Sequence, residues 1–425
     1  MSGRQAGRCA GPQRGHARRG RAIRCPGHPC GGTVLGVFDS QTLGPGFELS
    51  SEHLLIQRTV REFIEAEMAP VVGDYLEHDA FPEAVVRGLA DIGVMGLPFP
   101  EEYGGSGAGM VAFALALEEI ARVSPSVAAI VFAHSSPATL IFLNGTEEQK
   151  REWLVQLAEG RIVGAIGLTE PSGGSDAGAV RTKASWDGTS WILNGSKTFI
   201  TNAGTPMSGV AVVAATTELE SGSGLSSFII PADAPGFETG EPLHKIGWRA
   251  ADTREIFLRD CRLSPTSLLG KPGEGLRQML TAVTYGRVCV AAIASGLARA
   301  CFEQGRGYAR ERVAFGRPIA DNQGVAFKLV DVAVGLAAAR LLTYRAAALV
   351  DGGQPFRAEA SMAKLHATET AFEAARQAIQ IHGAYGISRE QPVSWLLGEA
   401  KVLEIVEGTS EIQRMLLARL LGISE

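Results

Sequence analysis

The hydrophobic period of this chain changes twice, from helical to two-residue and back, and each change excludes whole classes of fold. From about Leu54, the residues Ile56, Val60, Phe63, Ile64 and Met68 follow three- and four-residue steps until Pro70 ends the run. Further helical patterns occupy 82–95, 109–123, 127–143 and 146–159. Between Ile162 and about Leu269 the pattern shortens to runs such as 190–193, 210–213, 227–230 and 255–258, rich in β-branched and aromatic residues. Asp187-Gly188 and Asn194-Gly195 read as turns between neighbouring strands. Long helical patterns return over 276–311, 322–351, 358–382 and 392–405, with a last helix from Glu411. This order is not the βαβ alternation of a parallel nucleotide-binding sheet, and neither a G-x-G-x-x-G after a strand nor a Walker A sequence occurs. The expectation is an α+β fold: a basic tail (1–45), an N-terminal helical domain (46–160), a middle antiparallel β domain (161–270) and a C-terminal helical bundle (271–425).

Charge narrows the function. The net −5 divides into +6 over residues 1–45, from seven Arg and Asp39, and −11 over the rest, from 33 basic and 44 acidic residues. Without a Lys/Arg block in the folded part, a nucleic-acid partner is not expected. The tail has no hydrophobic period and reads as disordered; its Pro and Gly interrupt any amphipathic helix, so it resembles a mitochondrial transit peptide only loosely. A cytoplasmic location is expected, with the mitochondrial matrix as the alternative if the tail is a transit peptide. Cys25-Pro-Gly-His28-Pro-Cys30, even with Cys9 or His16, lacks a standard zinc spacing, and no metal is expected. Scattered cysteines fit a reducing compartment. No apolar run is read as reaching the roughly 18 residues a membrane helix needs.

His53, His78, His134, His244, His366 and His382 are isolated, and the adjacent acids Glu101-Glu102, Glu118-Glu119 and Glu147-Glu148 point in different directions on helices, as solvated faces would. Glu407 stands apart. Ser410 followed by Gln413 reads as a capping box, which starts a helix at Glu411 and leaves Glu407 on the turn before it, beside Gly408. Such a carboxylate can be aimed into a pocket; equally, it can serve only the positive end of the helix. A second group, 167–176, runs from a strand into a Gly/Ser loop offering free N–H groups and hydroxyls, an anion cradle. In a third, 195–202, Phe199 and Thr201 alternate onto one strand face, where they suit a flat polar ring.

Taken together, several segments resemble the acyl-CoA dehydrogenase family. They are Pro100-Glu101-Glu102-Tyr103-Gly104-Gly105, Leu168-Thr169-Glu170-Pro171 with Ser175-Asp176, Asn194-Gly195-Ser196-Lys197-Thr198-Phe199-Ile200-Thr201-Asn202, Arg312-Val313-Ala314-Phe315-Gly316, Gln380-Ile381-His382-Gly383-Ala384-Tyr385-Gly386 and Glu407-Gly408-Thr409-Ser410-Glu411-Ile412-Gln413-Arg414. In the family's order, they span nearly everything after residue 46. The resemblance implies FAD as cofactor, an acyl-CoA substrate and electron-transferring flavoprotein as acceptor. It assigns Ile166, Leu168, Thr169, Gly174, Ser175, Phe199, Ile200 and Thr201 to the flavin and ribityl chain. Arg312, Phe315, Gln323, Gln380, Ile381, Gly383 and Ala384 fall to the FAD pyrophosphate and adenosine across a subunit boundary, with Thr409 and Glu411 as further contacts. A shared site implies an oligomer, in this family a homotetramer.

On the substrate side the resemblance assigns Ser175, Gly286, Arg287, Gly408 and Arg419 to CoA or acyl contacts, and Glu407 to the base. Some members carry the base at the position of Gly286, which glycine cannot fill. Val406, where an aromatic residue is common, and Tyr385 reshape the acyl pocket and leave chain length open. An acyl-CoA oxidase using O₂ shares these motifs, and a silent acyl-thioester binder would keep the fold without needing Glu407. Because no fold is read into residues 1–45, deleting them is expected to leave flavin content and turnover unchanged, as measured by absorbance and steady-state assay.

Overall fold

The computed structural model describes residues 48–220 and 222–424, so the readings of residues 1–45, the Cys25–Cys30 segment included, lie outside it. Ser50 opens α1 (Ser51–Phe63) through a capping box with His53. The helix leaves through a π turn, Ile64–Met68, before Pro70. After α2 (Val72–Glu77), α3 (Glu83–Asp91) stops short of the expected 95 because Gly93 turns left-handed at φ 81°. α4 (Gly109–Val123) and α5 (Pro125–Asn144) are parted only by Ser124, whose hydroxyl accepts from the Val127 N–H while Pro125 fills a position that needs no donor. α6 (Glu147–Gln149), a π turn (Lys150–Leu154) and α7 (Val155–Ala158) complete the helical part.

The strands β1 (Val163–Gly167), β2 (Lys183–Trp186), β3 (Trp191–Thr201), β4 (Ser208–Leu219), β5 (Gly222–Pro231), β6 (Phe237–Thr239), β7 (Thr253–Leu263) and β8 (Leu268–Leu269) form one sheet in the order β6-β7-β3-β2-β4-β5-β8, with β1 on β4. Most pairs are antiparallel, but β4 takes β1 and β2 as parallel neighbours, each reached through intervening strands that supply the crossover. Asp187-Gly188 is the turn between β2 and β3, with Asp187 Oδ1 accepting from the Thr189 and Ser190 N–H groups. Asn194-Gly195 is not a turn. It is a bulge inside β3, where pairing jumps from Leu193↔Cys261 to Gly195↔Leu258 and a Cβ on Gly195 would lie 2.5 Å from Thr182 Oγ1.

The C-terminal part begins with α8 (Gly275–Glu311) and a hairpin of β9 (Val313–Ala314) and β10 (Arg317–Pro318). It continues through α9 (Gln323–Asp351), α10 (Arg357–His382), α11 (Val393–Ile405) and α12 (Ser410–Leu420). α8 packs on α4, α5, α9, α10 and α11 and is the axis of the molecule. By length and composition α5 and α8 are apolar enough to cross a membrane, contrary to the reading of the sequence, but each is mostly buried within the fold as a core helix. Glu399 of α11, fully buried, accepts from the Ser126 hydroxyl of α5 at 2.9 Å and the Trp248 N–H at 2.8 Å. Burial pushes this carboxyl up to about 7, and one side chain thus joins all three parts of the chain.

Glu118 and Glu119 are not solvated. Both are buried in α4, facing different partners: Glu119 meets Arg61 at 2.7 Å and Arg299 at 3.0 Å, and Glu118 meets Arg340 at 3.0 Å. Apart from Arg122, three positions on and 3.5 Å from Glu119, their cations lie some 60 to 220 positions away, so local pattern gave little sign of the pairing. Removing one partner of a buried pair strands the other's charge. Arg340→Met is expected to destabilise the fold by about 3–5 kcal/mol, read as a lower urea midpoint at unchanged slope.

Candidate active site

Glu407 lies between α11 and α12 with φ 56°, followed by Gly408 at φ 92°. A positive φ is unfavourable for a residue with a side chain and needs its surroundings to hold it. Three donors do so. Arg287 Nε of α8 reaches the Glu407 carbonyl at 3.3 Å, and Gln413 Nε2 of α12 reaches the carbonyls of Glu407 and Gly408 at 3.1 and 2.9 Å. The expected capping box is not formed, because Gln413 is spent on these carbonyls; Thr409 caps α12 instead, accepting from the Ile412 N–H.

The side chain turns onto α8. A Cβ on Gly286 would lie 2.8 Å from Glu407 Cδ and Oε2 and 3.0 Å from Phe132 Cε2, so glycine is needed for the carboxyl to seat there. The residue as a whole is half-buried, and its Oε2 is buried and has no hydrogen-bond partner. Burial pushes the carboxyl up to about 7, against the lowering influence of Arg287 and Lys364. Arg287 is itself buried and committed to the Glu407 carbonyl and to Ser361 Oγ at 3.3 Å, so it braces this loop. Arg419 is exposed in the last turn of α12, about 13 Å along the helix from its start, and Glu411 is exposed in the first.

A second group forms on the sheet. Thr169 follows β1 in the loop whose carbonyl accepts from the Thr198 N–H at 3.0 Å, which ties 168–176 to β3. Beneath it Glu170 accepts from Lys197 Nζ at 2.8 Å, from the Thr182 hydroxyl at 2.6 Å and from two backbone N–H groups. Burial would raise this carboxyl, but those donors outweigh it and hold it down to about 2. Phe199 sits in a second bulge of β3 with φ 59° and its ring 66% exposed. Ile166, Leu168, Thr169 and Thr201 are half-buried, while Gly174 and Ser175 are exposed. The Ile200 side chain is buried in the sheet core, so its backbone is the part available to a ligand.

The third group is exposed at the other end of the bundle. Phe315, 98% exposed at φ 53°, tips the β9–β10 hairpin, with Arg312 and Gln323 flanking it. Gln380, Gly383 and Ala384 are exposed near the end of α10. The Ile381 side chain is likewise buried, facing Gly305 of α8, so its backbone is the part available to a ligand. Among the described residues no hydrogen bond, ion pair or ring contact joins this group to Phe199 or to the 168–176 loop.

Known proteins share this arrangement. Family models described as the N-terminal, middle and C-terminal domains of acyl-CoA dehydrogenase match residues 50–161, 165–261 and 273–422. The chain belongs to the acyl-CoA dehydrogenase family. It is 42% identical to the probable acyl-CoA dehydrogenase YngJ of Bacillus subtilis, over 88% of this chain and 98% of that one. It is 39% identical to the short-chain specific acyl-CoA dehydrogenase of Clostridium acetobutylicum, over 88% and 98%. The structure of butyryl-CoA dehydrogenase from Megasphaera elsdenii superposes with a TM-score of 0.86 at 35% identity, covering 88% of this chain and 99% of that one.

Acyl-CoA dehydrogenases are flavin-dependent oxidoreductases that use FAD. The sheet group fits such a cofactor: an exposed aromatic ring, apolar neighbours and two hydroxyls, Thr169 and Thr201, that form no hydrogen bond within the described chain. Sequence reasoning missed Lys197, Gln413 and Lys364, all fully buried and all holding backbone that carries site residues. Their signal was a polar side chain on an otherwise apolar or small-residue face, as with Lys364 among Ala360, Ala363 and Ala367. A carboxyl that titrates near 7 is protonated, and unable to accept a proton, on the acid side. The second-order rate of flavin reduction is therefore expected to rise with pH through about 7, measured by stopped flow at low substrate.

Proposed function

We propose that this acyl-CoA dehydrogenase oxidises a short-chain acyl-CoA to the trans-2-enoyl-CoA, with Glu407 as the base that takes the α proton. The observation that carries this reading is a buried carboxylate oxygen without a partner, on a braced loop, in a carboxyl raised to about 7. A thioester α proton is too weakly acidic for a carboxylate in water. Seating the acyl chain against Glu407 would exclude more water and raise its proton affinity further. In this reading the thioester oxygen accepts from the Glu407 N–H, which makes no hydrogen bond within the described chain and is free to act as an oxyanion donor. FAD, held by Thr169, Phe199 and Thr201, supplies the acceptor for the hydride leaving Cβ.

The short acyl chain follows the naming of the clostridial relative. Electron-transferring flavoprotein as the onward acceptor, a homotetramer that completes the FAD site with Arg312, Phe315, Gln323 and the end of α10, and a cytoplasmic location complete the proposal. Glu407→Gln keeps the shape of the side chain and removes its proton affinity. FAD and butyryl-CoA are expected still to bind, while anaerobic bleaching of the flavin slows by at least ~10²–10⁴-fold. An undiminished rate would refute Glu407 as the base; rapid reoxidation of the reduced enzyme in air would replace the flavoprotein acceptor with O₂.

A further inference from the structure

Lys364 lies on the face of α10 that packs toward α8 and α11, fully buried among Ala360, Ala363 and Ala367. An ammonium has three donors, and this one makes a single hydrogen bond, from Nζ to the Glu404 carbonyl at 2.9 Å in the last turn of α11. Among the described residues no carboxylate forms an ion pair with it. A buried charge with so few partners is unfavourable unless its surroundings are negative.

They are. The carbonyl end of α11 points at the ammonium; the acids whose charge favours it are Glu407 just past α11, Glu404 in the last turn of α11 and Glu369 on α10, the last two already paired with Lys401 and Arg414, and Arg287 of α8 opposes it. The groups facing Glu407 in turn are Arg287 and, on the same helix, the buried thiol of Cys289, together with Lys364. Arg287 hydrogen-bonds the Glu407 carbonyl and Ser361 and its charge favours the ionised carboxylate; Lys364 is the second cation that does so.

We propose that Lys364 is a positioning residue for the reaction: its buried ammonium anchors the end of α11 that leads into the base-bearing loop and keeps the Glu407 carboxylate ionised in a dry site. The inference rests on Glu407 being the base. Burial lowers the ammonium to about 8, opposed by Glu407 and Glu404, so it carries its charge at neutral pH.

Three variants of the FAD-loaded enzyme separate anchoring from charge. Lys364→Gln keeps a donor and loses the charge, Lys364→Met loses both, and Lys364→Arg keeps both. Flavin reduction by butyryl-CoA is followed across pH by anaerobic stopped flow, with FAD content measured by absorbance and Glu407→Gln as reference. The acid limb of the profile is expected to move to higher pH by about 1 unit in the Gln and Met variants and to stay in place in the Arg variant. An unmoved limb in FAD-replete Gln and Met variants, with Glu407→Gln still inactive, overturns the proposal. So does failure of both neutral variants to fold where the Arg variant folds, since Lys364 would then be a structural cation. Wild-type reduction by Glu407→Gln is a different result, which removes the base and this inference with it.

Discussion

Buried carboxylates have to be answered by donors, and the way this chain answers them organises the rest of it. Glu118 and Glu119 lock α4 to α1, α8 and α9 through Arg61, Arg299 and Arg340. Glu170 holds the loop after β1 onto β3 through Lys197, and Glu399 joins α5 and the Trp248 loop to α11. Glu407 is treated differently: its carbonyl accepts two hydrogen bonds and that of Gly408 a third, but the carboxylate oxygen that faces α8 is given none. The paired acids tie elements of the fold together, whereas the Glu407 carboxyl ties none.

The same division runs through the backbone. Phe199, Phe315 and Glu407 all adopt positive φ, a conformation that side chains disfavour, and each stands at a position the family resemblance assigns to cofactor or substrate. Each is supported by a regular element on either side: the paired part of β3, the β9–β10 hairpin, and the helices α11 and α12. Trp248, also at positive φ, donates its N–H to Glu399, so the junction of the three parts depends on a strained turn as well.

Much of this was legible in the sequence because periodicity reports burial. The boundaries of α8, α9, α10 and α11 fall within a residue or so of the pattern, since each helix has a continuous small or apolar face. Glu407 was recognisable as an acid on a turn before a helix, although its cap proved to be Thr409. What pattern could not show was pairing at a distance. Glu118 and Glu119 looked like a solvated face because their cations come from other helices, and Asn194-Gly195 looked like a turn because a bulge uses the same residues. Ile200 and Ile381 were carried over as ligand contacts by position, whereas their side chains point into the core.

The contact between Gly286 and the Glu407 carboxyl also bears on how such an enzyme can change through descent. Family members that carry their acid at the position of Gly286 would approach from the opposite wall, and in this chain the two positions compete for one space, since a methyl group at 286 would lie 2.8 Å from Glu407 Cδ and Oε2 and the carboxyl would have to turn aside. A side chain added at 286 therefore displaces the Glu407 carboxyl from its present seat. Two positions that share one space change together, which makes the residue pair at 286 and 407 a durable marker of ancestry.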